Sequence, residues 1–261
     1  MIYWFSGTGN SRWVAESLGS ELHDTLLPMT ENTHFVLPDM QEACIGFIFP
    51  VYGWGLPLAV ANFIERMPHN TNPAHNYIYS VLTCGDDIGR TDRLLRKALK
   101  KKGYELHAVF SVQMRNTYVC LPFFDTDDLD VETEKQAKAT IRLHEIAQVV
   151  AQKQQSTPAD IHPGGMPGFK SYILRPLFNR LLTSDHRFKV NHNLCTHCKR
   201  CINCCPLHNI TPSADGTPLW GGHCTHCLAC YHSCPHHAIN YGWFTAHKGR
   251  VRVIVRPNNK P

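Results

Sequence analysis

The sequence predicts an α/β protein in which a doubly wound parallel sheet, covered by helices on both faces, is followed by a second, smaller cysteine-rich α+β domain. Three observations predict it. Short apolar runs alternate with stretches of helical periodicity through residues 1–153, the pattern of strands and crossover helices in a parallel sheet. Of the 12 cysteines only Cys44, Cys84 and Cys120 precede Cys195, and the other nine fall between Cys195 and Cys234. Charge divides in the same region: residues 1–185 hold 17 Lys+Arg against 20 Asp+Glu, whereas residues 186–261 hold 9 against 1. With 43% hydrophobic and 18% charged residues the chain has the composition of a folded protein, and no apolar run approaches the ~18 residues of a membrane helix, so stable membrane insertion is not expected. Residues 1–5 lack a basic flank and meet Ser6-Gly7 too early for a signal peptide, which makes the cytoplasm the expected location. In that reducing compartment nine clustered cysteines read as a metal site, not a disulfide framework.

The elements follow in order. Residues 2–5 form the first strand, and residues 11–22 a helix with Trp13, Val14 and Leu18 on one face. Residues 25–29 make a weak second strand and residues 43–49 (ACIGFIF) a strong third, followed by a helix over 58–67. Residues 77–83 are the fourth strand; a helix over 91–102 ends at Gly103, and residues 105–114 are the fifth. A long helix over 131–153 closes this domain, its start favoured by the acidic stretch 125–130. Residues 154–168, with Pro158, Pro163, Gly164, Gly165 and Pro167, read as a flexible linker. After it Phe169, Ile173, Leu177 and Leu181 recur every four residues. That stripe is short and reads as a helix docking on a neighbouring domain in preference to a membrane-surface anchor. The domain boundaries are therefore 1–153, 154–185 for linker and docking helix, and 186–261.

Cys195, Cys198, Cys201 and Cys205-Pro206 have the spacing C-x2-C-x2-C-x3-C-P, and Cys224, Cys227, Cys230 and Cys234-Pro235 repeat it 29 residues later. Three cysteines at this interval wrap a loop around three irons of a cube, and the fourth iron is held by the cysteine before proline of the other motif. Cys195, Cys198, Cys201 and Cys234 are thus expected to hold one [4Fe-4S] cluster, and Cys224, Cys227, Cys230 and Cys205 a second. Zinc sites instead use two separated C-x2-C pairs. Aligning the repeats puts Cys204 opposite Ser233, which makes Cys204 a bystander. His197 and His226 occupy one repeat position and are expected to face solvent. Clusters with their thiolates are anionic, so the Lys and Arg around them need no nucleic acid to explain them.

Ser6-Gly7-Thr8-Gly9-Asn10-Ser11 joins the first strand directly to its helix, so successive backbone N–H groups and the helix dipole favour a phosphate there without Lys or Arg. It is neither a P-loop nor a dinucleotide fingerprint. Pro50, Tyr52, Gly53, Trp54 and Gly55 follow the third strand, and Thr83, Gly85 and Asp86 the fourth, at the sheet edge where open α/β sheets bind ligands. Aromatic side chains to cover a ring and glycines that let backbone approach its edge point to a planar phosphorylated cofactor, FMN.

The segment SGTGNS resembles the phosphate loop of flavodoxins, and the order of elements to Lys153 is similar to that fold, which implies a five-stranded sheet of order 2-1-3-4-5. The second half resembles bacterial two-cluster ferredoxins. Together with FPVYGWGLP and FKVNHNLC, the whole chain resembles flavodoxin-ferredoxin fusion proteins of anaerobic bacteria. The resemblance implies an electron carrier with FMN and two [4Fe-4S] clusters, serving ferredoxin- or flavodoxin-dependent enzymes. TCGDDIGRT has no aromatic where many flavodoxins stack one on the flavin, and the segment 115–128 offers Tyr118 or Phe123 as a substitute. Two other classes fit less: an oxygen- or redox-sensing module, and a flavin-dependent reductase with its own substrate, for which no acid/base set stands out.

Overall fold

Strands β3 (Ala43–Pro50) and β4 (Asn76–Cys84) are buried along almost their whole length. Their sequences, ACIGFIFP and NYIYSVLTC, send apolar side chains to both faces, as strands covered on two sides require. With β1 (Ile2–Trp4), β2 (Leu26–Pro28) and β5 (Ala108–Gln113) they form a parallel sheet of order β2-β1-β3-β4-β5. This is the flavodoxin-like order, with the chain reversing direction across the sheet between β1 and β3. The computed structural model describes residues 1–36, 43–71 and 76–251, without the side chain of Leu182. Arg252, Arg256 and Lys260 of the basic C-terminal tail lie outside the described residues.

Helices α1 (Asn10–Leu22) and α4 (Leu129–Ala151) cover one face, where Val14, Ala15, Leu18, Leu143 and Ile146 pack with Ile2, Tyr79 and Phe110. Helices α2 (Leu58–Arg66) and α3 (Thr91–Lys101) belong to the other, whose centre is aromatic: Tyr3 stacks on Phe47 at 5.9 Å and Phe63 lies 5.2 Å from Tyr3. The fifth strand begins at Ala108, later than the expected residue 105, because Gly103 takes a φ of 80° and Tyr104 N still bonds Leu99 O at the end of α3.

The expected flexible linker is instead held on β5. Val109 N donates to Ser156 Oγ at 2.8 Å, His162 N to Ser111 Oγ at 2.8 Å, and Asp160 pairs with Arg142. An edge strand carries unpaired backbone groups that need such cover. Beyond it α5 (Pro167–Phe169) passes through a π-helical turn (Lys170–Leu174) into α6 (Arg175–Leu182). All of this belongs to a first compact unit, Met1–Ser6, Asn10–Arg115 and Asp128–Leu182.

The second unit comprises Gly7–Gly9, Asn116–Asp127 and the chain from Thr183 onward. Strand β6 (Phe188–Val190) pairs antiparallel with β9 (Ile239–Tyr241), and β7 (Ile210–Pro212) with β8 (Pro218–Trp220), around short helices α7 (Arg200–Asn203) and α8 (Ala229–Ser233). The 29-residue repeat is visible in the backbone: His197 and His226 (φ 53° and 59°), Lys199 and Leu228 (59° and 61°), and His208 and His237 (50° and 53°) all take the left-handed conformation.

In β3, Gly46 lies under Tyr79, whose Cζ would be 2.5 Å from an added Cβ. Gly46→Val is expected to cost about 1–3 kcal/mol by overpacking and to lower the melting temperature of the first unit by several degrees in a thermal scan. An unchanged transition would mean that the ring moves aside freely.

Candidate functional site

In the second unit one cavity is lined by Cys195, Cys198 and Cys201 from the first motif and Cys234 from the second. The side chains predicted to share a cluster are brought together across the repeat. Burial raises the Cys201 thiol to about 11, and the neighbouring Cys234 and Cys198 sulfurs add to it. In the other group burial raises Cys224 to about 11, with Cys205 contributing, and pushes Cys227 and Cys230 up further, with Cys224 and Cys205 each acting on both. Among the described residues no three His, Cys, Asp or Glu side chains converge on a point that would hold a single metal ion. Cys195, Cys198, Cys201 and Cys234 line the cavity together with Thr196, Ile202, Pro218 and Ile239.

Backbone donors are aimed at these sulfurs. Asn209 N lies 3.3 Å from Cys205 Sγ and Ala238 N 3.2 Å from Cys234 Sγ, equivalent bonds in the two repeats, and His226 N lies 3.2 Å from Cys224 Sγ. Such N–H···S bonds favour the thiolate and tune a bound centre. Cys204 meets the residue it aligns with: Ser233 Oγ donates to Cys204 Sγ at 3.0 Å.

The two histidines correct the expectation in part. His197 is exposed, but His226 is 4% exposed and boxed by Tyr118, Phe188 and Tyr241, with ring centroids 4.7–5.9 Å away. Burial, with Arg187 adding to it, lowers His226 to about 4, so it is neutral near pH 7. Tyr118 packs against the core of the second unit, while Phe123 is 99% exposed. The loop Asn116–Asp127 is stitched into this unit: Lys248 Nζ donates to the carbonyls of Val119, Leu121 and Phe124, Gly249 N to Asp125 Oδ1, and His232 Nε2 to Thr117 O at 2.8 Å. Sequence reasoning missed Cys120 of this loop, buried beside Val119, Cys230 and Tyr231. No spacing relation to the two motifs signals it.

In the first unit the strand ends are built from tight turns. Tyr52 and Gly55 exchange both backbone bonds (3.1 and 3.2 Å) around Gly53 and Trp54, at φ 52° and 56°, a turn that asks for positive φ at both central positions. Pro50 ends β3, and Phe5 meets Tyr52 edge-on at 6.5 Å. Thr83 and Ser11 are both buried, and their hydroxyls lie 2.7 Å apart. Asn10 Nδ2 donates to Arg115 O at 3.0 Å. The carbonyl of Gly85 accepts from Lys135 and that of Asp86 from Gln113. Cys84 is held neutral, pushed up to about 12 by burial and the nearby Asp87 and Asp86.

The segment after residue 161 closes on these turns. Ile88 N donates to His162 O, Ser171 Oγ accepts from Arg90 N and donates to Trp54 O at 2.8 Å, and Arg175 Nη2 donates to Leu56 O at 2.8 Å. Lys170 pairs with Asp87 and lies 5.7 Å from the Trp54 ring, which engages the indole expected to cover a cofactor. In the phosphate-loop segment Gly9 has φ 108°, open to glycine alone, and neither the loop nor the first turn of α1 carries a carboxylate. Within the second unit Thr8 Oγ1 lies 3.5 Å from Thr117 Oγ1.

No protein-family profile matches the chain, and comparison with curated proteins finds no match. Among solved structures it is similar to a flavodoxin from Streptococcus pneumonia TIGR4 (17% identity, 58% of this chain and 97% of that one, TM-score 0.37). It is also similar to the Trp repressor binding protein from Bacillus subtilis (11%, 60% and 99%, TM-score 0.36) and to an azoreductase from Bacillus anthracis str. Sterne (10%, 58% and 98%, TM-score 0.37). At TM-scores this low the fold rests on the strand order and register of the sheet itself.

Arg175 Nε is buried without a hydrogen-bond partner and would lie 1.8 Å from a Cβ added at Gly55. Gly55→Ala is expected to cost about 1–3 kcal/mol in denaturant unfolding, and Arg175→Ala about 1 kcal/mol for its lost bond to Leu56 O. The double variant should cost less than the sum, because removing Arg175 removes the clash. Strict additivity would show that the two residues do not touch in solution.

Proposed function

We propose that the protein is an electron carrier in which the second unit holds two [4Fe-4S] clusters and the first binds FMN, exchanging single electrons with ferredoxin- or flavodoxin-dependent enzymes. The observation that carries this reading is the cavity shared by Cys195, Cys198, Cys201 and Cys234, because a remote cysteine from the other motif is what a pair of four-iron clusters requires and a pair of zinc knuckles does not. Cys224, Cys227, Cys230 and Cys205 would hold the second. The clusters, when bound, supply one-electron chemistry. The chain's part is to exclude water with Phe188, Tyr231 and Tyr241, all buried, and to offset cluster charge with the N–H groups of Asn209, Ala238 and His226.

FMN fits the first unit in part. Ser6 and Asn10 of this unit flank the loop Gly7-Thr8-Gly9, which belongs to the second unit and whose glycine conformation and lack of negative charge suit a phosphate. With Trp54 and Asp87 engaged by Lys170, and Gly53 and Gly55 covered by Phe178 and Arg175, ring contacts fall to Tyr52 and to the backbone of Gly85. A flavin held there would pass between two- and one-electron steps.

Two outcomes test the reading. Cys204→Ser is expected to leave iron and sulfide content at the parent level, whereas Cys205→Ser should lose roughly half of the iron by opening one of two cages; the reverse pattern would remove the assignment. Gly9→Val should abolish FMN binding, followed by flavin fluorescence, while the cluster absorbance persists. A parent protein that binds no FMN under reconstitution would leave the first unit as a scaffold for the iron-sulfur unit. Loss of electron delivery to an acceptor with the clusters intact would favour a sensor.

A further inference from the structure

The two cysteine motifs share a backbone but not an environment. In the second, the residues between the cysteines are covered: Thr225 is 8% exposed, His226 4%, Leu228 2% and Ala229 1%. Their counterparts in the first, Thr196, His197, Lys199 and Arg200, are all exposed. Among the eight motif cysteines Cys198 alone is exposed. The residues differ to match. Lys199-Arg200 stands where the second motif has Leu228-Ala229, although Lys199 and Leu228 take the same left-handed conformation (φ 59° and 61°). A covered loop excludes an unpaired Lys-Arg pair, because burying those charges is costly. The first loop is under no such constraint and carries both.

We propose that the first cage is the chain's electron port, on which an acidic redox protein docks against Lys199 and Arg200 while the second cage stays covered. The proposal rests on the reading that the cysteines hold clusters. Electron transfer between proteins falls off steeply with distance, so the cage with a ligand at the surface is the one a partner can approach. The charged side chains at that cavity select the partner. Lys199 and Arg200 line it, no carboxylate does, and neither cation is paired with a described carboxylate. The unit's four carboxylates are committed elsewhere: Asp215 to Ser213 and Thr217, Asp185 to Asn209 and Gly222, Asp125 to Gly249, and Asp127 to Asn116. Compensation of thiolate charge does not by itself call for this pair, since the second motif has Leu228 and Ala229 at the same positions. Exposed cations at the rim of a contact act chiefly on the association rate and on the choice of partner.

The test mixes the full chain, purified without oxygen and reduced, with two acceptors of opposite charge: an acidic flavodoxin and a basic c-type cytochrome. One electron leaves a reduced cluster in either case. The flavodoxin takes it up with a proton from water as the flavin semiquinone, and the cytochrome takes it up as ferrous haem. The second-order rate with the flavodoxin is expected to fall with salt. Lys199→Glu combined with Arg200→Glu should lower it at least ~ten-fold at low salt and raise the rate with the cytochrome. Lys100→Glu, an exposed charge reversal on α3 of the first unit, should leave both rates near the parent's. Iron content and cluster absorbance of the double variant should match the parent; where they do not, Lys199→Gln with Arg200→Gln removes the charge without reversing it and should give a several-fold effect. A zero-length carbodiimide should also link Lys199 to a carboxylate of the flavodoxin, a readout of docking that needs no electron transfer. A flavodoxin rate indifferent to salt and to the double variant, or cross-links confined to other lysines, overturns the proposal and leaves the clusters standing. A chain that holds no iron removes the cluster reading and this proposal together.

Discussion

Cys234 of the second cysteine motif lines the same cavity as Cys195, Cys198 and Cys201 of the first, so that cavity is built from both repeats. The second unit follows from that crossing. Two equivalent loops must face each other, which puts β6 against β9 and gives the repeats matching left-handed residues and matching N–H···S bonds at Cys205 and Cys234. Three-residue strands and helices of four and five residues bury little apolar surface, and units of this size rarely fold on a hydrophobic core alone. Part of the missing core comes from elsewhere in the chain: Tyr118, Val119 and Cys120 insert from the loop Asn116–Asp127, and Lys248 fixes that loop through three carbonyls.

That insertion was not legible in the sequence, and the reason is physical. Periodicity reports which residues of a strand or helix face inward, but Tyr118 and Cys120 sit in an irregular loop that has no period. The parallel sheet was legible because β3 and β4 are buried on both faces and so read as continuous apolar runs. The cysteine motifs were legible because their spacing repeats 29 residues apart and is read directly from the sequence. His197 and His226 show the limit of reasoning from a repeat: the backbone is the same at both, but only His226 has Tyr118, Phe188 and Tyr241 around it, and those neighbours break the symmetry. Residues 154–168 misled differently. Proline and glycine forecast irregular backbone correctly, whereas flexibility was decided by Ser156 and Ser111, which tie the segment to the edge of β5.

The helical stretch after Met166 raises the same question in a sharper form, because its period was read correctly and its direction was not. Sequence fixes an apolar face but not which way it points. Here the turns after β3 and β4 decide. The carbonyls of Trp54 and Leu56 accept from Ser171 and Arg175, and Asp87 takes Lys170, so the polar side of the helix is drawn inward. Each such bond contributes about 0.5–1.5 kcal/mol net, and a buried group left without one costs about 1–3. Burying a large apolar side chain fully would contribute about 1.5–3 kcal/mol. Met166, Phe169, Tyr172, Ile173, Leu177 and Leu181, 46–69% exposed, forgo a comparable sum, so the inward and outward orientations are close in energy for the isolated chain. The orientation in the structure is the one that satisfies the polar groups of the turns, and it leaves the apolar face exposed.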